Sequence, residues 1–145
     1  MCSSDLTRWE KPNPLSARLI AMSLSERGSP HGDRLLGKIY DHGGGVTRDP
    51  KLAAQWFLRA AEAGDAEAAA EMGLRYERGD GVARDLVEAY AWLLPAAAVR
   101  STGAARRLDQ LAPQLSEAER ARAEALAEKR RITARVAREL QLDEK

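Results

Sequence analysis

The sequence predicts an all-α protein, an α/α superhelical solenoid of stacked helix hairpins with a 36-residue repeat. Two observations predict this fold class. A 25-residue pattern occurs twice without a gap, 36 positions apart, and its apolar residues have the spacing of one helix face. Alanine supplies 27 of the 145 residues and aromatic residues only 5 %, so the helices must pack closely on small side chains.

Eleven residues are identical between the two copies of the pattern. The first copy contains Gly37, Tyr40, Gly43, Gly45, Val46, Arg48, Asp49, Ala53, Trp56, Ala60 and Ala61. The second copy contains Gly73, Tyr76, Gly79, Gly81, Val82, Arg84, Asp85, Ala89, Trp92, Ala96 and Ala97. A single hairpin cannot bury its own apolar face, and therefore these units are expected to stack on their neighbours.

The first helix of a unit is clearest in unit two, residues 65–100. Asp65 is a favourable N-cap, and residues 66–78 are mostly helix formers. Gly79 then occupies the position after a helix that favours a left-handed backbone, and a short loop at Gly81 follows.

The second helix of each unit follows an aspartate, which is Asp49 in unit one (residues 33–64) and Asp85 in unit two. Pro50 falls at the favoured first helical position of unit one. This helix of unit one is predicted to run from Lys51 to about Ala63 and to stop at Gly64, the last residue of the unit.

Two features inside the predicted helices need a packing explanation. Gly37 and Gly73 would each cost about 1 kcal/mol relative to alanine in a helix. Their recurrence predicts that the ring of Trp56 or Trp92, or a neighbouring backbone, fills the space beside them. Pro95 lies within the second helix of unit two and is predicted to kink that helix or to end it just before the proline.

The segments before and after the two units match the pattern less well. Residues 15–32 are predicted to be a degenerate half unit that contributes one helix. Residues 1–14 contain two prolines and no periodicity, which predicts a mobile leader or the remnant of a clipped repeat. Residues 104–112 are predicted to be a partial helix in the phase of a third first helix.

Residues 116–145 are predicted to form a capping helix with an extension. Ser116 and Glu119 have the spacing of a capping box, which opens a helix running to about Leu140. The first half of this helix is expected to cover the open end of the stack, and the second half to be exposed. Its predicted apolar stripe comprises Ala118, Ala121, Ala125 and Leu126.

The repeated pattern resembles the Sel-one-like (Sel1-like) repeat, a relative of the tetratricopeptide repeat, over residues 33–99. The pattern comprises Leu36, Gly37, Tyr40, Gly43, Gly45, Val46, Asp49, Ala53, Trp56, Ala60, Ala61 and Gly64. This resemblance implies a tetratricopeptide-like, right-handed solenoid that binds other proteins and often has no chemistry of its own. Arg100 departs from the pattern, since Gly64 predicts a glycine there, and the chain lacks the cysteine pairs of some secreted members.

By analogy with tetratricopeptide arrays, the first helices are expected to line a concave surface that binds a peptide or a partner helix. The predicted partner-binding residues are His31, Arg34, Lys38, Asp41, His42, Glu67, Ala70, Leu74, Glu77 and Arg78. The alternative is that these residues form only a solvated helix face.

The sequence favours neither a metal site nor catalysis. The residues that invite a metal interpretation are His31, Asp33, Asp41 and His42, but their spacing matches no metal-binding pattern, so no cofactor is predicted. The chain also has no Gly-x-Ser-x-Gly, P-loop or HExxH motif, and therefore no catalytic residue is predicted.

A basic cluster lies in the C-terminal segment. Its members are Lys129, Arg130, Arg131, Arg135 and Arg138. Because glutamates flank the cluster and no aromatic residue interleaves it, we interpret it as a solvated helix face. Phosphate contact with nucleic acid and pairing with an acidic partner helix are the alternatives, and the net charge of +1 does not favour a nucleic-acid partner.

The sequence predicts a cytoplasmic location. The longest apolar stretch, residues 89–99, is shorter than the roughly 18 residues that a membrane span needs. No signal peptide is visible in residues 1–14, although a truncated N-terminus would leave an envelope location open. Cys2 is the single cysteine and cannot form an intramolecular disulfide. The excess of arginine over lysine and the alanine content suggest a bacterial gene.

These observations together predict a protein-interaction adaptor whose partner is another protein of unknown identity. The alternative is a small regulatory or cell-envelope-associated subunit that acts through its C-terminal helix. Two good units and two partial ones are close to the minimum for a stable stack, so the chain is either a short member or part of a longer array.

Overall fold

Seven α-helices, joined by short turns, account for most of residues 14–143, the part of the chain that the computed structural model describes. They are α1 (Pro14–Glu26), α2 (Pro30–His42), α3 (Pro50–Glu62), α4 (Ala66–Arg78), α5 (Leu86–Ala97), α6 (Ala104–Leu111) and α7 (Glu117–Asp143). The predicted leader, which includes Cys2, lies outside the described residues except for Pro14, where α1 begins.

The 36-residue register of the sequence is the register of the helices. Helices α2 and α4 begin at Pro30 and Ala66, and helices α3 and α5 begin at Pro50 and Leu86. Each helix from α1 to α5 packs against the next one in the chain, and α7 packs against α5. The predicted all-α solenoid of stacked hairpins is therefore confirmed.

Aspartate caps begin the helices where the sequence predicts them. The side chain of Asp49 accepts a hydrogen bond from the backbone N–H of Leu52 (3.1 Å), and Asp65 accepts one from Ala68 (2.9 Å). Asp85 caps α5 in the same way. Each cap satisfies an N–H that has no partner inside its own helix.

The loops inside the two hairpins have the same glycine conformation and the same arginine hydrogen bond. Gly43 and Gly79 end α2 and α4 with φ of 71° and 74°, a left-handed backbone that suits glycine. Arg48 Nε donates to the carbonyl of Asp41 (2.8 Å), as Arg84 Nε does to the carbonyl of Glu77 (3.0 Å). These bonds explain why an arginine recurs at this position of both loops.

The core combines alanines with a few large side chains. The largest fully buried ones are Phe57, Leu36, Met72, Leu93 and Leu111. Trp92 is also buried, whereas Trp56 is half-buried.

The glycines inside α2 and α4 make room for core side chains, but the predicted tryptophan partners are wrong. A Cβ atom added to Gly37 would lie 3.0 Å from the ring of Phe57. One added to Gly73 would lie 2.6 Å from Cγ of Leu93 and 3.3 Å from the carbonyl oxygen of Ala89. The opposing residues follow the tryptophans by one position, because the rotation of the second helix turns that residue towards the glycine.

One of the two predicted outcomes, that α5 ends just before Pro95, is wrong. It continues to Ala97 with the proline at its tenth residue. A proline this close to the C-terminus removes one hydrogen bond of the helix, that to the carbonyl of Ala91, and only two helical residues follow it. The side chain of Pro95 is exposed.

The predicted capping box opens α7. The backbone N–H of Ser116 donates to Glu119 Oε1, and the N–H of Glu119 donates to Ser116 Oγ, both at 3.1 Å. The hydrogen bonds from Ser116 lower the pKa of the Glu119 carboxyl below its usual value.

The predicted apolar stripe of α7 is wrong. Ala118, Ala121 and Ala125 are exposed, and only Leu126 of the four is half-buried. Ala123 is fully buried instead. The physical reason is that α7 carries its own alanines on most of its sides. Helical periodicity alone therefore does not select the face that meets α5.

Candidate functional site

The predicted partner-binding residues lie on α2 and α4, the first helices of the two hairpins. His31, Lys38 and His42 of α2 are exposed, as are Glu67 and Arg78 of α4. The half-buried members are Arg34, Asp41, Ala70, Leu74 and Glu77. The structure therefore divides the predicted set into residues that face solvent and residues that contact other helices.

Arg34 connects α2 to the beginning of α4. Its Nε lies 3.1 Å from Asp65 Oδ2, and its Nη1 pairs with the Glu67 carboxylate. Its Nη2 lies 2.7 Å from Nδ1 of His31 on the same helix. The guanidinium thus binds both the cap of α4 and an acidic residue of its first turn.

A second ion pair connects the same two helices near their C-terminal ends. Arg75 Nη2 of α4 lies 2.7 Å from Asp41 Oδ1 of α2. Arg75 is only 3 % exposed, and its guanidinium carbon lies 4.9 Å from the centre of the Phe57 ring, within cation–π range. A buried guanidinium needs such partners because removing its charge from water is costly.

The role of Arg75 was not predicted, although the sequence contains a pattern that indicates it. The 36-residue register places Ile39 one unit upstream and Leu111 one unit downstream of Arg75. A charged residue at a position that is apolar in the neighbouring units indicates a specific electrostatic partner.

A third ion pair extends this arrangement to the next helix. Glu77 Oε1 of α4 lies 3.6 Å from Arg107 Nη1 of α6. We call the pairs Arg34–Asp65, Asp41–Arg75 and Glu77–Arg107 the ion ladder, since they join α2, α4 and α6 in turn. Four predicted residues are consequently engaged in contacts between helices, namely Arg34, Asp41, Glu67 and Glu77.

Of the other six predicted residues, His31 contacts Arg34 and Ala70 packs against the core, which leaves four. We call Lys38, His42, Leu74 and Arg78 the interaction face. Within residues 14–143 no ion pair engages its three basic members. Nδ1 of His42 lies 2.8 Å from the carbonyl oxygen of Lys38 on the same helix.

The residues that invited a metal interpretation have other partners. Asp33 is buried, accepts a hydrogen bond from Ser25 Oγ, and lies 3.3 Å from Arg59 Nε. Asp41 pairs with Arg75, as described above. Among residues 14–143 the structure brings together no group of three or more His, Cys, Asp or Glu side chains that could hold a metal ion.

Four members of the basic cluster of α7 are exposed, namely Lys129, Arg131, Arg135 and Arg138, and Arg130 alone departs from the predicted solvated face. Arg130 turns towards α5, where its Nη2 lies 2.5 Å from Glu88 Oε2 and its guanidinium stacks 4.3 Å from the centre of the Trp92 ring. This contact explains the orientation of α7, which helical periodicity did not predict.

The exposed members of the cluster pair largely within α7 itself. Arg131 lies 2.6 Å from Glu128 and Arg135 lies 2.9 Å from Glu139. The hydrogen bond from Arg131 lowers the pKa of the Glu128 carboxyl. These pairs reduce the free positive charge that a phosphate could meet.

One tyrosine hydroxyl lies next to the contact between α5 and α7. Burial raises the pKa of the Tyr76 phenol above its usual value, and the nearby Glu88 carboxylate raises it further. Tyr76 therefore stays a neutral hydrogen-bonding group across the physiological range.

No helix within residues 14–143 is both long and apolar enough to cross a membrane.

Comparisons with known proteins agree with this architecture. The family model of the Sel1 repeat matches residues 30–65 and 66–98. The crystal structure of a Sel1 repeat protein from Oxalobacter formigenes has a TM-score of 0.60 and 39 % sequence identity, covering 62 % of this chain and 68 % of that one.

A second solved structure is c5321, a protective antigen present in uropathogenic Escherichia coli strains and displaying an SLR fold. It has a TM-score of 0.73 and 27 % identity, and the match covers 79 % of this chain. This chain spans only 25 % of the length of that antigen. No curated protein matches the chain. The Sel1 matches and the stacked hairpins show that the chain belongs to the Sel1 repeat family.

Proposed function

We propose that this chain is a protein-interaction adaptor without catalytic activity, and that it binds a peptide or a partner helix on a concave surface lined by α2 and α4. Proteins with Sel1 repeats are generally scaffolds for protein–protein interaction. The proposal adds the location of the bound partner and its chemistry.

The observation that carries this proposal is the ion ladder. Three ion pairs join successive first helices and hold them in one arrangement before any partner arrives. A surface that is already ordered loses little conformational entropy on binding, which favours affinity for a partner that orders itself on it.

The interaction face suggests what the partner carries. Lys38 and Arg78 are positively charged and exposed, and the half-buried Leu74 offers an apolar contact. A peptide or helix with acidic side chains around one apolar residue would complement this face. We place this binding in the cytoplasm, a reducing compartment where disulfides are rare, because the chain has a single cysteine and forms no disulfide within itself.

A specific observation also supports the alternative, a regulatory or envelope-associated subunit that acts through its C-terminal helix. Ile132, Val136 and Leu140 of α7 are exposed at four-residue intervals. An exposed apolar stripe of this kind is typical of a helix that binds another helix.

The test compares partner capture by crosslinking and mass spectrometry from a lysate of the source organism. The double variant Lys38→Glu and Arg78→Glu reverses two charges of the interaction face, and we expect it to lose the captured partner with an unchanged melting temperature. Lys51→Glu is the matched control, because Lys51 is exposed on α3. Glu77 is a poor probe since its reversal would also break the ion ladder.

Deletion of residues 128–145 distinguishes the two candidate functions in the same experiment. The adaptor function predicts that the deletion variant retains the partner and that the double variant loses it. The alternative predicts the converse. Equal capture by all variants would contradict both.

A further inference from the structure

We propose that a second copy of this chain inserts its α7 extension (residues 132–143) into a groove between α1 and α2, so that copies join head to tail. This self-association goes beyond the proposed partner binding. The groove has a volume of about 450 Å³ and is lined by Ala17, Ile20, Leu35, Lys38, Ile39 and His42, among other residues.

The groove lies beside α1, which packs against fewer helices within residues 14–143 than the equivalent helices α3 and α5. Helix α3 packs between α2 and α4, and α5 packs between α4 and α6. Helix α1 has the same register as α3 and α5, but within residues 14–143 only α2 packs extensively against it. Ile20 on its uncovered side is 60 % exposed. An exposed apolar edge of a solenoid repeat is favourable to cover.

The α7 extension carries an apolar stripe that no element of residues 14–143 covers. Its members are Ile132, Val136 and Leu140, which are 51 %, 46 % and 61 % exposed. At a rise of about 1.5 Å per residue this stripe is about 12 Å long, and the groove wall from Leu35 to His42 is about 10 Å long. The stripe and the groove therefore match in length and in apolar character.

Charge adds complementarity to this match. Lys38 and His42 lie at the groove, and Glu139 lies on α7 about 60° around the helix from Val136, at the border of the stripe. Within residues 14–143 Glu139 pairs with Arg135, an exposed i,i+4 pair of the kind that contributes little to stability. Exchanging that pair for Lys38 of another copy costs little.

The first half of the same helix already shows how α7 covers an edge. It packs on α5 through the fully buried Ala123 and through Arg130, which stacks on Trp92. The groove lies at the beginning of the stack and α7 at its end, so the two surfaces belong to opposite ends of the chain. A contact between two different surfaces leaves one of each free on every dimer, which permits further growth or closure into a ring.

Sedimentation velocity of the full chain tests this proposal, over concentrations from roughly 1 µM to roughly 1 mM, the range of weak interfaces. We expect the mass of wild type to rise above 15.9 kDa with concentration. Ile20→Glu in the groove and Val136→Glu on the stripe should each remain monomeric. An equimolar mixture of the two variants retains one intact groove and one intact extension, and should form a dimer and nothing larger.

Two matched controls add the same charge elsewhere on the same helices. Met22→Glu lies about half a turn from Ile20 on α1, and Gln141→Glu lies on the side of α7 away from the stripe. Both should associate like wild type. Circular dichroism should show all four variants folded, since every substituted side chain is exposed.

Three results would overturn the proposal. Wild type that stays monomeric at every concentration excludes self-association. Association that survives Ile20→Glu but not Val136→Glu would indicate pairing between two α7 helices. Association that survives Val136→Glu would show that another segment occupies the groove.

Discussion

Arg75 shows how a single side chain adapts a repeated unit to its neighbour. It contacts Asp41 of the preceding unit and the Phe57 ring, and it stands where the neighbouring units carry Ile39 and Leu111. An aliphatic residue at this position could pack against any neighbouring unit. A buried arginine can pack only against a unit that places an acidic residue opposite it. The residue therefore specifies which unit follows which, at the cost of desolvating a charge.

Removing Asp41 and removing Arg75 should lower the free energy of unfolding by different amounts. Asp41→Ala leaves the buried guanidinium with only Asp80, 3.7 Å away, and we expect a loss of about 3 kcal/mol. Arg75→Ile leaves a carboxylate that is 24 % exposed and can be hydrated, so the expected loss is under about 1.5 kcal/mol. Urea unfolding measures both. Equal losses would show that the attraction itself, and not the stranded charge, governs the site.

At the scale of elements, α7 is docked by one residue of its basic cluster. Arg130 contacts Glu88 and Trp92 of α5, whereas its neighbour Arg131 contacts only Glu128 of its own helix. Adjacent residues of the same type thus have different tasks, because 100° of helix rotation separates a side chain at the interface from one in solvent.

This difference is testable with a matched pair of variants. Arg130→Met keeps most of the side-chain volume but removes the charge from Glu88 and Trp92, and should cost about 1–2 kcal/mol and speed hydrogen exchange in α7. Arg131→Met removes a pair within an exposed helix and should leave the free energy of unfolding close to that of wild type. Similar effects of both changes, measured by urea unfolding, would contradict the docking role of Arg130.

At the scale of the whole molecule, stability comes from stacking, because each hairpin contacts mainly its neighbours. The last hairpin would expose the outer side of α5, and α7 covers it. The extension beyond Arg131 makes few such contacts, since only Ala134 is not exposed between residues 131 and 141.

Two truncations should separate these contributions. Deletion of residues 132–145 should leave the melting temperature within a few degrees of wild type, because the contact of Arg130 with α5 remains. Deletion of residues 117–145 uncovers Trp92 and should cost roughly 3 kcal/mol or more, which corresponds to a large drop in melting temperature. Thermal melts followed by circular dichroism would disprove the covering role of α7 if both truncations melted together.

Most of the fold could be predicted from the sequence because its signals are local. The caps at Asp49, Asp65 and Asp85 act on N–H groups two or three residues away. The capping box between Ser116 and Glu119 has the same short range. Such interactions need no knowledge of what lies across the stack.

The candidate site could be predicted only in part. The 36-residue register placed the predicted set on α2 and α4, but it could not show that Arg34 meets Asp65 or that Glu77 meets Arg107. These partners are 30 or more residues apart, and their pairing depends on the rotation and spacing of packed helices. Only the side chains left over, Lys38, His42, Leu74 and Arg78, remain as the proposed interaction face.

The sequence by itself determined the repeat, its register and the caps that begin α3, α4, α5 and α7, because these follow from backbone hydrogen bonding and from residues a few positions apart. Tertiary structure alone decided that Phe57 and Leu93 oppose the helix glycines, that Arg75 is buried, and that α7 turns Arg130 towards α5. In a chain so rich in alanine, many faces of a helix are equally apolar. Close packing of the few large and charged side chains then selects the face that is buried.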